Sequence, residues 1–175
     1  MKERVERALN DQIQKEGQSS QFYLAMASWA ETQGLSGTSG FMYRQSDEER
    51  FHMLKLVKFV NERGGKAVIP GFDTPPTEFE SVLNVFNLLL SHEIKITESI
   101  NDLVEICLEE KDYTTHNFIQ WYLSEQLEEE ASARTILDKV KLIGEDKAGL
   151  YLFDRDLENS TIVVTPANTV GPGAQ

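Results

Sequence analysis

The chain has 175 residues, 40% of them hydrophobic, enough for one well-cored domain and too few for two. Its 29 acidic against 17 basic residues give a net charge of -12, which repels nucleic acid and anionic membrane surfaces and attracts cations. Cys107 is the only cysteine, so no intrachain disulfide or cysteine-rich metal site can form, and a reducing compartment, the cytoplasm, is expected. The first residues, MKERVERALNDQIQKEG, are charged and lack the apolar core of a signal peptide. The longest apolar runs fall far short of a membrane span.

Apolar residues recur with a period near 3.5 in four long segments, which predicts four helices and no sheet. The first is expected over about residues 2–33, ending at GLSG. The second is expected over about 39–63, ending at Gly64 and Gly65, where glycine can take a left-handed C-terminal cap. Pro70, Gly71, Pro75 and Pro76 then preclude a helix, so KAVIPGFDTPPTEF reads as a long crossover. Thr77 and Glu80 form a candidate capping box for a third helix over about 78–110. The fourth is expected over about 113–143, stopping at Gly144, and is followed by a shorter amphipathic piece, DKAGLYLFDRDLEN. The tail from Ser160 to Gln175 is rich in Pro, Gly and Thr and has no periodicity, with Ile162, Val163 and Val164 as its apolar patch. Two short connections and one long one between helices two and three give an all-α fold. The expected architecture is a four-helix bundle with one long crossover, the topology of ferritin-like folds, and a short fifth C-terminal helix. Residues 1–157 are taken as the domain and 158–175 as an irregular tail.

The inward stripe of each helix, read at a seven-residue repeat, is interrupted at its middle. The third helix reads Phe79, Val82, Phe86, Leu89, Glu93, Ile96, Ile100, Leu103, Cys107, so one carboxylate breaks an apolar series. The fourth reads Ile119, Tyr122, Gln126, Glu129, Ala133, Ile136, Val140, Ile143. The first gives Val5, Leu9, Gln12, Glu16, Ser19, Tyr23, Met26, Ala30, and the second Met42, Gln45, Glu49, His52, Leu56, Phe59. An antiparallel bundle gathers these polar residues into one layer.

Four carboxylates in one buried layer cannot stay ionised and unpaired, because the idealised cost per buried charge is on the order of 20 kcal/mol before relaxation. No Lys or Arg occupies the stripes, so protons or metal ions must neutralise them. Glu16, Glu49, Glu93 and Glu129 carry four negative charges, which two divalent cations balance, and His52 adds a nitrogen ligand suited to iron or zinc. Di-iron bundles place Glu-x-x-His on two helices and a single Glu on the other two. Here ERFH, Glu49 to His52, is one such pair. The second is missing: Ser132 follows Glu129 by three residues and Gln126 precedes it by one turn. His92 and His116 fall off the inward stripes and read as surface residues.

Over about residues 1–157 the chain resembles the bacterial non-haem ferritins, through EERFHM, through His92-Glu93 before an apolar-rich run, and through NFIQWYLSEQLEEE. The resemblance implies a ferroxidase that oxidises Fe(II) with O2 or peroxide and stores the ferric mineral inside a homo-oligomeric shell of 24 subunits. It implies that Glu16, Glu49 and His52 hold one iron, and that Glu49 bridges to a second held by Glu93 and Glu129, with Gln126 beside it. Tyr23 is then the tyrosine that assists oxidation, and Glu48, Glu125, Glu128 and Glu129 match the family's third iron site. Bacterioferritins carry a second Glu-x-x-His and a haem-ligating Met just after the Glu of the first. This chain has Ser132 and Arg50 there, so iron and no haem is expected. A di-iron oxidase or oxygenase acting on an organic substrate is the rival function. It requires a widened cavity, whereas Phe86, Leu89, Tyr23, Met26 and Ile136 look able to fill the layers beside the site.

Overall fold

The structure is a computed structural model that describes residues 1–159. Its five helices are α1 (Glu3–Thr32), α2 (Ser36–Glu62), α3 (Val82–Glu109), α4 (Tyr113–Ile143) and α5 (Lys147–Asn159). The first four form the bundle, with α1 packed on α2 and α3, α3 on α4, and α5 lying across α2. No helix among the described residues is long and apolar enough to cross a membrane. The apolar patch at Ile162, Val163 and Val164 lies outside them. The fifth helix ends at Asn159, two residues past the expected end of the domain.

The inward stripes are buried as the periodicity predicts except at their ends, where Phe59 and Ile143 are only partly covered, and they form two apolar clusters rather than one. Tyr23, Met26, Met42, Phe86, Leu89, Ile136 and Val140 pack together at one end of the bundle. Val5, Leu9, Leu56, Ile96, Ile100, Leu103 and Ile119 pack at the other. Between them lies the layer of buried polar side chains: Glu16, Glu49, His52, Glu93, Gln126 and Glu129. A contiguous core is the usual outcome for a domain of this size, so a polar layer that divides it marks a position where packing has been given up for chemistry.

Two helix starts differ from the sequence reading. The third helix begins at Val82, and its cap is Ser81, whose hydroxyl accepts the Asn84 N–H at 3.1 Å. Thr77 and Glu80 therefore stay in the crossover, where Phe79 turns inward and meets Trp29 and Phe22 edge-on or tilted. The second helix begins at Ser36, three residues early and through Gly37. Its N-terminal cap comes from far along the chain. The buried Asp154 of α5 accepts from the Gly37 N–H at 3.0 Å and from the Thr38 N–H and hydroxyl at 2.8 Å each. A Cβ on Gly37 would lie 1.8 Å from the Asp154 carbonyl oxygen, so glycine is what lets α5 seat there. At the other end of α2, Gly64 has the left-handed φ of 74° that the C-terminal cap demands.

The crossover is tied to α1 by side-chain amides that serve its backbone groups. Gln18 donates to the Asp73 carbonyl at 3.0 Å and accepts the Asp73 N–H at 2.8 Å. Asn10 does the same for Lys66 and Val68, at 3.1 and 2.7 Å. A segment with no secondary structure of its own thus keeps its polar backbone paired.

Candidate metal centre

All four bundle helices deliver ligand-type side chains to the layer. Glu16 comes from α1, Glu49 and His52 one turn apart from α2, Glu93 from α3, and Gln126 and Glu129 one turn apart from α4. Glu16, Glu49, His52 and Glu93 are 1–2% exposed, and Glu129 is 8% exposed.

One atom each of Glu16, Glu49 and His52 lies within 4.8 Å of the others. Glu16 Oε2, Glu49 Oε2 and His52 Nδ1 are buried and have no hydrogen-bond partner. Buried polar atoms are ordinarily paired, and three orphans converging on one spot form the donor set a divalent cation would complete. Gln12 Nε2 donates to Glu16 Oε1 at 2.8 Å, and the His52 carbonyl accepts from the Tyr122 hydroxyl at 2.8 Å. Glu93 is bound at both oxygens, by the Tyr23 hydroxyl at Oε1 and by Gln126 Nε2 at Oε2, the latter 3.1 Å away.

Electrostatics point the same way. Burial raises the Glu16 and Glu49 carboxyls well above their ordinary value, and the neighbouring charge of Glu49 on Glu16, and of Glu93 on Glu49, raises them further. Glu129 is pushed up to about 9 by burial, then by Glu48 and Glu93. Glu93 is raised by burial too, with the hydrogen bonds from Tyr23 and Gln126 pulling against it. Burial beside Glu93 and Glu49 also lifts the Tyr23 phenol well above its usual range. Without a cation this layer must hold protons, and a cation that enters displaces them.

A second group of three ligand atoms within 4.8 Å joins Glu48 and Glu125, both half-buried, to His52. Burial raises both carboxyls, and Gln45 donates to Glu48 Oε2 at 3.0 Å. Glu128 is exposed and belongs to neither group, and the side chains of Glu93 and Glu129 also fall outside both. His92 is half-buried rather than superficial. Its Nε2 sits 2.7 Å from Ser19 Oγ, its ring meets Tyr23 edge-on, and burial lowers it to about 4, so it is neutral at pH 7. Sequence reasoning missed Gln12 and Ser99 as partners of the layer. Gln12 already stood on the inward stripe as a polar defect, whereas Ser99 gave no signal.

A profile of the ferritin-like domain matches residues 6–143, spanning all four bundle helices. The chain belongs to the ferritin family. It is 45% identical over 159 residues to a probable bacterial non-haem ferritin-like protein of Haemophilus influenzae, covering 91% of this chain and 96% of that one. It is also 45% identical over 155 residues to a bacterial non-haem ferritin of Campylobacter jejuni, covering 89% and 93%. Among solved structures, an open-pore ferritin from the archaeon Archaeoglobus fulgidus superposes with a TM-score of 0.90 at 44% identity, covering 91% of this chain and 99% of the other. Membership in the bacterial non-haem ferritins thus agrees with the resemblance read from EERFHM and its companions.

Proposed function

We propose that this ferritin stores iron as a cytoplasmic ferroxidase, taking up Fe(II) at the polar layer, oxidising it and passing Fe(III) to a mineral enclosed by a shell of 24 subunits. The observation that carries the reading is the buried group of Glu16, Glu49 and His52, one ligand atom of each within 4.8 Å of the others, in which Glu16 Oε2, Glu49 Oε2 and His52 Nδ1 have no hydrogen-bond partner. Iron is the substrate here. Glu16, Glu49 and His52 hold the first Fe(II). Glu49 bridges to a second, for which Glu93 and Glu129 are ligands and Gln126 is a neutral neighbour. Two Fe(II) each give one electron, and O2 with two protons becomes hydrogen peroxide. Hard carboxylate oxygens favour the Fe(III) product. Tyr23, bonded to Glu93 Oε1, stands where a phenol can assist that oxidation.

With one histidine and a neutral Gln126, the second position holds its product loosely, as storage requires and a resident cofactor does not. Glu48 and Glu125, whose ligand atoms lie within 4.8 Å of one another and of one on His52, are the start of a third iron position, which the exposed Glu128 and the buried Glu129 complete only by turning toward them. The layers beside the centre are filled by fully buried Tyr23, Met26, Phe86 and Leu89, which favours storage over oxidation of an organic substrate. Exposed apolar side chains such as Leu142, Leu127 and Tyr151 supply contact surface for assembly. Arg50 and Ser132 stand where haem-binding relatives carry Met and His, so the protein takes no haem.

The test is to load apo-protein with successive small additions of Fe(II) while following absorbance and oxygen uptake. Storage predicts that activity recovers after each addition and mineral accumulates. Saturation after the first two irons per subunit, with no recovery, replaces it with the oxidase reading.

A further inference from the structure

Gln12 is a polar side chain of α1's inward stripe, one turn before Glu16, that the proposed ligand set leaves unused. It is 1% exposed. Its Nε2 lies 2.8 Å from Glu16 Oε1, and its Oε1 lies 2.8 Å from Ser99 Oγ on α3. The Ser99 hydroxyl also lies 2.9 Å from the Ile96 carbonyl oxygen, so its single proton serves these two acceptors.

The order of donors along this chain is set by chemistry. A carboxylate that holds a cation is ionised and only accepts, so Gln12 must then turn its NH2 toward Glu16, and its carbonyl oxygen requires a donor, which Ser99 is placed to be. The consequence appears at Glu16. One oxygen is held by the amide, and Oε2 alone is left without a partner, facing Glu49 and His52. Glu93 is treated differently: both its oxygens are bound, by Tyr23 and Gln126.

We propose that Gln12, oriented by Ser99, is a positioning residue that locks the Glu16 carboxylate so that it offers a single oxygen, Oε2, to a divalent cation. This rests on the metal-centre reading above. Groups that hydrogen-bond a metal ligand fix its rotamer and keep it from swinging into competing modes, and their loss weakens binding even though they never touch the ion. Gln12 does this from the same helix, one turn before Glu16, and Ser99 carries the constraint across to α3. Ser99 also lines a surface pocket shared with Lys15 and Lys95, so removing its hydroxyl opens room beside Gln12 for a water from that side. Water can therefore replace part of what Ser99 does, whereas nothing can replace Gln12 in the dry layer.

The experiment is titration of full-length apo-protein with Co2+ alone at one fixed pH, read by calorimetry and by the visible d–d bands, which report ligand geometry. Assembly and fold are checked by light scattering and circular dichroism. Gln12→Met keeps the length and volume of the side chain and removes the donor. Its affinity for Co2+ is expected to fall by about 10–100-fold, with altered d–d bands. Ser99→Ala is expected to lose less, in the same direction. The double variant should bind within about twofold of Gln12→Met, because Ser99 acts through Gln12. If Gln12→Met does not assemble, Gln12→Asn, which keeps the amide but withdraws it from Glu16, is expected to show the same loss. Glu16→Ala separates the two levels of the reading. Tight Co2+ binding lost in Glu16→Ala but kept, with the wild-type spectrum, in the Gln12 variant overturns the positioning role alone. Wild-type binding in Glu16→Ala overturns the metal centre itself. Losses that simply add in the double variant contradict the route from Ser99 through Gln12.

Discussion

Glu129→Gln should stabilise the metal-free protein, by an amount that grows with pH. The Glu129 carboxyl titrates near 9 in the folded chain because it is buried beside Glu48 and Glu93, against 4.5 as its ordinary value. A group whose folded pKa is raised contributes stability that is fully present below the unfolded value and is lost as pH rises toward the folded one. The window is therefore pH 4.5 to about 9. At pH 7 the unfolded chain has released this proton and the folded chain has kept it. A gap of about 2.5 pH units at about 1.4 kcal/mol each makes the penalty about 3 kcal/mol. Glutamine has the shape of the protonated acid and escapes it. For a chain of this size about 3 kcal/mol is about 10 °C in Tm. The assay is thermal unfolding of chelator-treated wild type and Glu129→Gln from pH 4.5 to 8, followed by circular dichroism. The variant should match wild type at pH 4.5 and exceed it by about 10 °C at pH 7. Adding Zn2+ at 100 times its Kd should raise wild type by about 2.7 kcal/mol and the variant by less. Equal melting of the two proteins at pH 7, or an advantage that shrinks as pH rises, refutes the burial of these charges as the origin of the site.

Three further outcomes are expected. His52→Ala removes the nitrogen ligand of the centre, so rapid Fe(II) oxidation in stopped-flow absorbance should slow while light scattering shows an intact shell; a wild-type rate counts against its role. Protein purified or reconstituted with excess haem should show no Soret band, and a stoichiometric band contradicts the reading of Arg50 and Ser132. Asp154→Ala removes the cap of α2 and should cost about 1–2 kcal/mol in chemical denaturation. Gly37→Ala, whose new Cβ meets the Asp154 carbonyl oxygen at 1.8 Å, should cost about 3 kcal/mol, and wild-type stability in both variants removes the case for α5 as the cap.

The bundle was legible because heptad-like periodicity and glycine or proline breakers are local signals. The helix limits predicted at residues 33, 63, 113 and 143 fall within a residue or so of those observed. The polar layer was legible for a related reason, since Glu16, Glu49, Glu93 and Glu129 stand out only against apolar stripes, and all four are buried. Partnerships across the fold were not legible. Asp154 caps a helix that begins 118 residues earlier than itself, so a sequence with Gly37 and Gly40 near the start of α2 invites a later beginning. Thr77 and Glu80 have the spacing of a capping box, yet Ser81 takes the role once Phe79 is drawn in against Trp29. Ser99 lies one position off α3's inward stripe as read from sequence, and only the packing of α1 on α3 brings it to Gln12. His92 reads as a surface residue on the same grounds, yet the fold half-buries it against Ser19.

Anomalous scattering at the iron edge decides whether this layer binds iron through Glu16, Glu49, His52, Glu93 and Glu129. Crystals of the protein soaked anaerobically with Fe(II) should show one peak among Glu16 Oε2, Glu49 and His52 Nδ1, and a second among Glu49, Glu93 and Glu129. Crystals of Glu49→Ala, which lacks the bridge, should lose both. An iron-soaked wild-type crystal with no anomalous peak inside the bundle, or with peaks only at the half-buried Glu48 and Glu125, contradicts the account.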